Sequence, residues 1–187
     1  MPVTIEQKKT ASILNIPIWY KLLKDQGVNE NIIPFLLAQL ALESNYFTSN
    51  VYKLNNNPAG ITWNNNYNRR PGTSKGSARP AAEGGVYVKF DTLATAAKDY
   101  IRIVNKSGRL GKPIEATDLN NLVDRLKANN YFMSSAEEYK KGLLSIHKRL
   151  STWNDYAAIS KKKTTLTANI GLFAVLLALG YFTKKFF

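Results

Sequence analysis

Residues 32–44 read IIPFLLAQLALES. Ten of the thirteen positions are apolar: Ile32, Ile33, Pro34, Phe35, Leu36, Leu37, Ala38, Leu40, Ala41 and Leu42. Pro34 stands where the first turn of a helix tolerates it, and the Leu, Ala and Gln that follow favour helix. A helix apolar nearly all round is a buried helix. This one ends in Glu43, followed by Ser44, Asn45 and Tyr46. A carboxylate delivered by a buried helix must be hydrated, paired or neutralised. Glu43 therefore has two readings: a solvated residue at a helix end, or a general acid of raised pKa in a cleft. The helix alone does not choose between them.

Working outward, the N-terminal run MPVTIEQKKTASILNIPIWYKLLKDQG predicts two short helices that pack through Ile13, Ile16, Trp19, Leu22 and Leu23. It has no long apolar core between a basic start and a small-residue cleavage site, so it does not read as a standard secretory signal. Gly27 stops the second helix, and Asn29 or Asn31 can cap the central one. After Glu43 the texture changes. Residues 45–85 are rich in Asn, Gly, Pro, Ser and Arg, too long for a connector in a compact domain and so a functional lobe or lid. NNNPAG and RRPG are turn chemistry. Ile61, Trp63 and Tyr67 are spaced for a short strand or a cleft wall, and GVYVKF (85–90) alternates as a strand, with Glu83 just before it. Arg69 and Arg70 stand side by side; each could grip an anion through its planar fork, but a charge pair in such a loop reads first as solvated. From Asp91 the period is helical: a helix capped by Asp91 or Thr92, one starting near Thr117 or Asp118, and one from about Ser135 to Leu150.

The expected fold class is mostly α, a helical domain with a small β-hairpin lobe, over residues 1–155. Residues 156–165 read as a basic linker. Residues 166–183, LTANIGLFAVLLALGYFT, carry no charge over 18 positions and predict a transmembrane helix about 27 Å long. Lys161–Lys163 precede it, and a basic and aromatic tail (184–187) follows. The net charge of +13 calls for a polyanionic partner or an anionic surface. There is no cysteine, which excludes a disulfide framework and a thiolate site; neither metal nor cofactor is expected. The lone His147 lies in a helical run and reads as a packing or surface residue.

Cleavage of a glycosidic bond needs a proton donor and often a second carboxylate across the sugar. Of the 13 acidic residues, most fall on predicted helices, at caps or near ends. Glu43 and Glu83 remain, one closing the buried helix and one opening the strand of the polar lobe.

These residues carry a resemblance. The run AQLALESNYFTSNVYKLNNNPAGITW (38–63) resembles the signature of the peptidoglycan N-acetylglucosaminidases of bacteria and phages, the autolysin and flagellar-hydrolase type of the lysozyme-like superfamily. VYVKFDTLATAAKDYIRIV (86–104) is similar to that family's strand-then-helix stretch, and NNYFMSSAEEYKKGLLSIHKRL (129–150) to its closing Tyr-containing helix. The resemblance implies a lysozyme-like fold with Glu43 as general acid and Glu83 as second acid. It implies substrate contacts at Asn57, Gly60 and Trp63, with Tyr131 or Tyr139 near the cleft. Pro58 and Ala59 depart from the larger apolar residues of the family, and Phe132 stands where it has Ala. The expectation is a membrane-anchored endo-β-N-acetylglucosaminidase cleaving the β-1,4 backbone of peptidoglycan, in a virion membrane or bacterial envelope, as a phage lytic or virion-associated enzyme. Its partners are glycan strands and, through the C-terminal helix, a lipid membrane; no nucleic acid is expected. The alternatives are a lytic transglycosylase on the same polymer and an inactive basic wall-binding protein.

Overall fold

A computed structural model describes residues 2–105 and 110–161. Helix α1 (Ile5–Asp25) opens on a capping box, in which the Thr4 hydroxyl accepts from the Gln7 backbone N–H and the Gln7 side chain accepts from that of Thr4. The two short helices expected here are one. Pro17 lies inside α1, where a proline removes a backbone hydrogen bond at about 3 kcal/mol. The continuous face of Ile16, Trp19, Tyr20 and Leu23, all buried, offsets that loss, since each such side chain contributes about 1.5–3 kcal/mol on burial. Gln26 caps α1 at its C-terminus and Gly27, at φ +77°, turns the chain away.

The central helix α2 (Ile33–Glu43) packs against α1 and against the later helix Ala136–Trp153. Leu36, Leu37, Ala38, Leu40 and Ala41 are all buried. No side chain caps its N-terminus: Asn29 accepts from the Asn31 N–H in a local turn, and Ile32 is the capping position. Burial on nearly every side holds the helix without that cap, as the apolar run predicts.

A short helix α3 (Asn50–Asn55), capped by Ser49, and a 3-10 turn at Asn65–Arg69 lead into the hairpin. Strands β1 (Thr73–Ala78) and β2 (Val86–Phe90) pair antiparallel, Thr73 opposite Phe90 and Lys75 opposite Val88, with an irregularity between Lys75 and Ala78. The segment 61–63 lines the other edge of β2: Thr62 bridges Tyr87, Val88 N–H donates to Ile61 C=O, and Trp63 N–H donates to Val86 C=O. Helices α4 (Leu93–Val104), α5 (Leu119–Ala128) and α6 (Ala136–Trp153) then complete the body, capped by Thr92, Asp118 and Ser135. Tyr156–Lys161, inside the stretch read as a linker, form a short helix α7 against α1.

The expected fold class requires a correction. The chain is mostly helical with a small two-stranded sheet, and among the described residues no helix is long and apolar enough to cross a membrane. The longest, α1, carries Glu6, Lys8, Lys9, Lys21, Lys24 and Asp25 along its 21 residues. Residues 166–183, on which the spanning helix is expected, lie outside the described residues.

Candidate active site

Glu43 is the last residue of α2 and its side chain opens to solvent. Among the described residues it makes no hydrogen bond or ion pair. The protein around it nevertheless desolvates the carboxyl and holds its pKa above the ordinary carboxylate range. Its place at the negative end of a helix acts in the same direction. An unpaired carboxyl, accessible and biased toward its protonated form, is what a proton donor requires.

The chain behind Glu43 is strained. Asn45, Tyr46 and Phe47 lie in succession at φ 49°, 60° and 62°, a left-handed conformation that costs a non-glycine residue about 1–2 kcal/mol. The surroundings enforce it. The buried Ser44 hydroxyl donates to Leu40 C=O (2.6 Å) and accepts from Phe47 N–H (2.8 Å), so it ties the turn to the last turn of α2. The Tyr46 ring packs on Trp153 and its hydroxyl accepts from Arg149 (3.0 Å), while the buried Phe47 packs edge-on against Tyr52. The turn reverses the chain within a few residues, and two aromatic anchors lock it beside the carboxyl.

One turn before Glu43, Gln39 is buried on the same helix, and its Oε1 accepts from the Tyr100 hydroxyl of α4 (2.6 Å). Its buried Nε2 has no hydrogen-bond partner among the described residues. Burial raises the pKa of Tyr100, Tyr131 and Tyr139, and the Glu43 charge raises each further. Tyr139 is held by a parallel stack on Phe132, with centroids 3.8 Å apart. Phe132, one of the residues that depart from the family pattern, thus packs against one of the two tyrosines that the resemblance places near the cleft. Glu43, Tyr131 and Tyr139 come together in this structure, with Gln39 and Tyr100 behind them.

The lobe residues play a different part. The three asparagines 55–57 clamp the hairpin to α3. Asn55 donates to the Ser77 hydroxyl (2.7 Å) and accepts from Ser77 N–H; Asn56 donates to Phe90 C=O (2.8 Å). Asn57, buried, donates to Ile61 C=O and Val88 C=O and accepts from Ile61 N–H. Its amide is thereby saturated with backbone, and it shapes the 58–63 loop from within. Gly60 turns that loop at φ +61°, a conformation that favours glycine. Trp63 is half-buried beside Tyr67, with ring centroids 5.8 Å apart. Glu83 sits in the exposed turn of the hairpin and pairs with Arg79 at 2.5 Å. Arg70, read as a solvated loop charge, instead reaches the buried Asp99 (3.4 Å), which also receives Arg102 (2.7 Å) and the Tyr67 hydroxyl (2.6 Å). Burial and the Asp99 charge push the Tyr67 phenol up to about 12, and this network ties the lobe to α4.

Sequence reasoning passed over Gln39, Tyr100 and Asp99. The signal for Gln39 was present: a lone amide in an apolar helix, four residues before the candidate acid and so on its face.

A helical body with an unpaired carboxyl at the end of its buried helix and a clamped β-hairpin beside it defines a class of sugar-cleaving domain, and the comparisons agree. The model of the glucosaminidase family, described as mannosyl-glycoprotein endo-beta-N-acetylglucosaminidase, matches residues 16–152. The chain belongs to that family and is a glycoside hydrolase. Among solved structures it is similar to the catalytic domain of the autolysin Auto from Listeria monocytogenes, at 18% identity and a TM-score of 0.52 over 82% of this chain and 91% of that one. It is also similar to a type VI secretion system effector-immunity complex from Pseudomonas protegens, at 17% identity and a TM-score of 0.50 over 75% of this chain and 94% of that one. At these identities the likeness is one of fold. No curated protein matches the chain in sequence.

Proposed function

We propose that this glycoside hydrolase cleaves the β-1,4 glycan backbone of peptidoglycan as an endo-β-N-acetylglucosaminidase, with Glu43 as the general acid. The observation that carries the reading is the Glu43 carboxyl itself: accessible, without an ion partner among the described residues, and raised in pKa by desolvation. In that state it donates a proton to the leaving oxygen as the glycosidic bond breaks. Tyr131 offers its hydroxyl to the sugar, and Tyr139, whose hydroxyl is buried, lines the same end of the cleft from behind. Trp63 and the loop turned by Gly60 supply an aromatic wall and close backbone approach; Asn57 acts through that loop. Glu83 is the second acid, activating water or orienting the substrate's N-acetyl group once the hairpin turn closes over bound glycan. The net charge of +13 draws the enzyme to an anionic wall polymer.

One observation favours a second reading. Glu83 stands in an exposed turn, held by Arg79, which leaves Glu43 to work alone as the single acid of a lytic transglycosylase does. Digestion of purified sacculi and mass spectrometry of the fragments separate the two. Reducing N-acetylglucosamine ends are expected; anhydro ends would establish the transglycosylase, and reducing N-acetylmuramic acid ends would overturn the bond specificity.

A further inference from the structure

Between the lobe and α4 lies an open pocket of about 300 Å³ that the chemistry at Glu43 does not use. Its charged lining is Arg70, Lys98, Asp99 and Arg102, so three cations face one carboxylate. Asp99 is already fully engaged: it receives Arg102 Nε at 2.7 Å, Arg70 Nη1 at 3.4 Å and the Tyr67 hydroxyl at 2.6 Å. Arg102 gives a second N–H to the Tyr67 hydroxyl at 3.0 Å. Arg70 Nη2, Arg102 Nη1 and Lys98 Nζ keep no protein partner among the described residues. An ion pair needs one cation, and this pocket carries two positive charges beyond that.

The pocket is built before any ligand arrives. Thr95, Lys98 and Arg102 follow at helical spacing and share one face of α4. Gly72, at φ +74°, brings the loop after Arg70 so close to α4 that a Cβ there would stand 3.1 Å from the Thr95 side chain. The Thr73 hydroxyl donates to Arg70 C=O at 2.8 Å and holds the same loop. The guanidinium carbons of Arg70 and Arg102 lie 5.2 and 5.9 Å from the centroid of the Tyr67 ring. Asp99 and Tyr67 thus fix both forks, and little side-chain freedom is left to lose on binding. Tyr67 also meets Trp63, with 5.8 Å between centroids, so the pocket adjoins the aromatic wall proposed for the glycan.

We propose that this pocket binds a phosphate group of an anionic polymer carried by the same wall, and so holds the enzyme on phosphate-bearing wall beside its glycan cleft. A guanidinium fork matches two phosphate oxygens, and a lysine ammonium takes a third as a point charge. A tetrahedral phosphate can therefore meet Arg70 from the loop and Lys98 and Arg102 from the helix together. A carboxylate has two oxygens in one plane and is filled by a single fork. The inference rests on the reading of the chain as a wall hydrolase for the choice of polymer.

The test titrates the full chain with oligo(glycerol phosphate), and in parallel with N-acetylalanine as the carboxylate probe, following backbone amide shifts by NMR. The phosphate probe is expected to shift residues 70–73 and 95–102 and to bind at least about fivefold more tightly than the carboxylate. Lys98→Gln, which removes an exposed side chain with no partner to lose and so keeps the fold, should weaken phosphate binding about threefold or more. Arg70→Lys keeps the charge, loses the fork and should weaken it severalfold. Lys148→Gln removes one exposed charge from α6 and should change binding by less than about twofold in salt of about 0.15 M, where distant charges are screened. Equal weakening by Lys98→Gln and Lys148→Gln, or shifts absent from both segments, overturns the inference. Tighter binding of N-acetylalanine at the same residues overturns the phosphate assignment. Sacculi are digested alongside. Wall cleavage without phosphate binding means that this inference alone fails; phosphate binding at the pocket without wall cleavage overturns the hydrolase reading instead.

Discussion

Replacing Glu43 by glutamine should move activity and stability in opposite directions. The amide has nearly the shape of the carboxyl and cannot donate an acidic proton. General acid catalysis contributes about 10²- to 10⁴-fold, or about 3–5 kcal/mol of transition-state stabilisation, and that amount should disappear from kcat on purified wall. Stability should not fall with it. Glu43 makes no ion pair or hydrogen bond among the described residues, so the substitution removes no such contact. It does remove a carboxyl that the folded state desolvates and holds at a raised pKa. The pH dependence has a definite sign. Below the unfolded-state pKa of about 4.3 the carboxyl is protonated in both states and adds no penalty. As pH rises toward the folded-state pKa, the unfolded chain releases its proton first, and the wild type loses stability. Glu43→Gln, free of that titration, should therefore match or exceed wild type in urea midpoint at pH 7, and its advantage should shrink as pH falls through that window. Chemical denaturation at several pH values, read beside a turbidity assay, measures both quantities. A variant that is inactive because it is unfolded, or one that is active, would refute the reasoning.

Two further outcomes follow from the backbone. Asn45→Ala should be less stable than Asn45→Gly by about 1–2 kcal/mol, because position 45 is left-handed at φ 49° and alanine tolerates that poorly; denaturant midpoints of the two variants check it. Gly76→Ala should cost about 1–3 kcal/mol and lower activity, since its Cβ would come within 2.5 Å of the Asn55 side-chain oxygen and 3.0 Å of Tyr87 C=O and would pry the hairpin from its clamp; the same denaturation assay and wall turnover measure the effect.

The helices were legible because their signals are local. Thr92 caps where Asp91 or Thr92 is expected to, Asp118 and Ser135 cap helices expected to start near them, and the apolar run at 33–41 forms the central helix. The N-terminal helix was misjudged because the face that offsets Pro17 exists only once α2 is in place. Asn55, Asn56 and Asn57 read as turn chemistry, and Asn56 does turn left-handed at φ 51°. Their larger role, reaching to Ser77, Phe90 and Val88, lies in contacts more than twenty residues away that no local pattern encodes. Arg70 failed for the same reason: its partner Asp99 is on α4, 29 positions on. Glu43 was legible as a carboxyl at the end of a buried helix, while its raised pKa depends on the residues that fold around it.

What remains is whether Glu83 reaches the substrate, and the hairpin's construction bears on it. The base of the hairpin is rigid, fixed by the three asparagines and by the edge formed by 61–63. The turn is held by local bonds: Arg79 N–H donates to Gly85 C=O, the Glu83 and Gly84 N–H groups donate to Pro80 C=O, and the Arg79 guanidinium reaches Gly84 C=O and Glu83. Gly84 and Gly85 sit at φ +63° and +78° with open space around them, and the strand pairing is irregular between Lys75 and Ala78. The Arg79 pair that holds Glu83 is half exposed, and such a pair is worth about 0–1 kcal/mol, so binding of glycan can displace it at little cost. A hydrolase that uses Glu83 should therefore lose at least about tenfold in kcat in Glu83→Gln, within the range for one acid–base group, while its stability stays within about 0.5 kcal/mol of wild type. Arg79→Gln, which frees the carboxyl without touching Glu43, should leave the fragment ends unchanged. Both variants are assayed on one wall preparation with the ends identified by mass spectrometry. Wild-type rates for Glu83→Gln together with ordinary reducing ends would remove Glu83 from the mechanism and leave the water to be activated by another group.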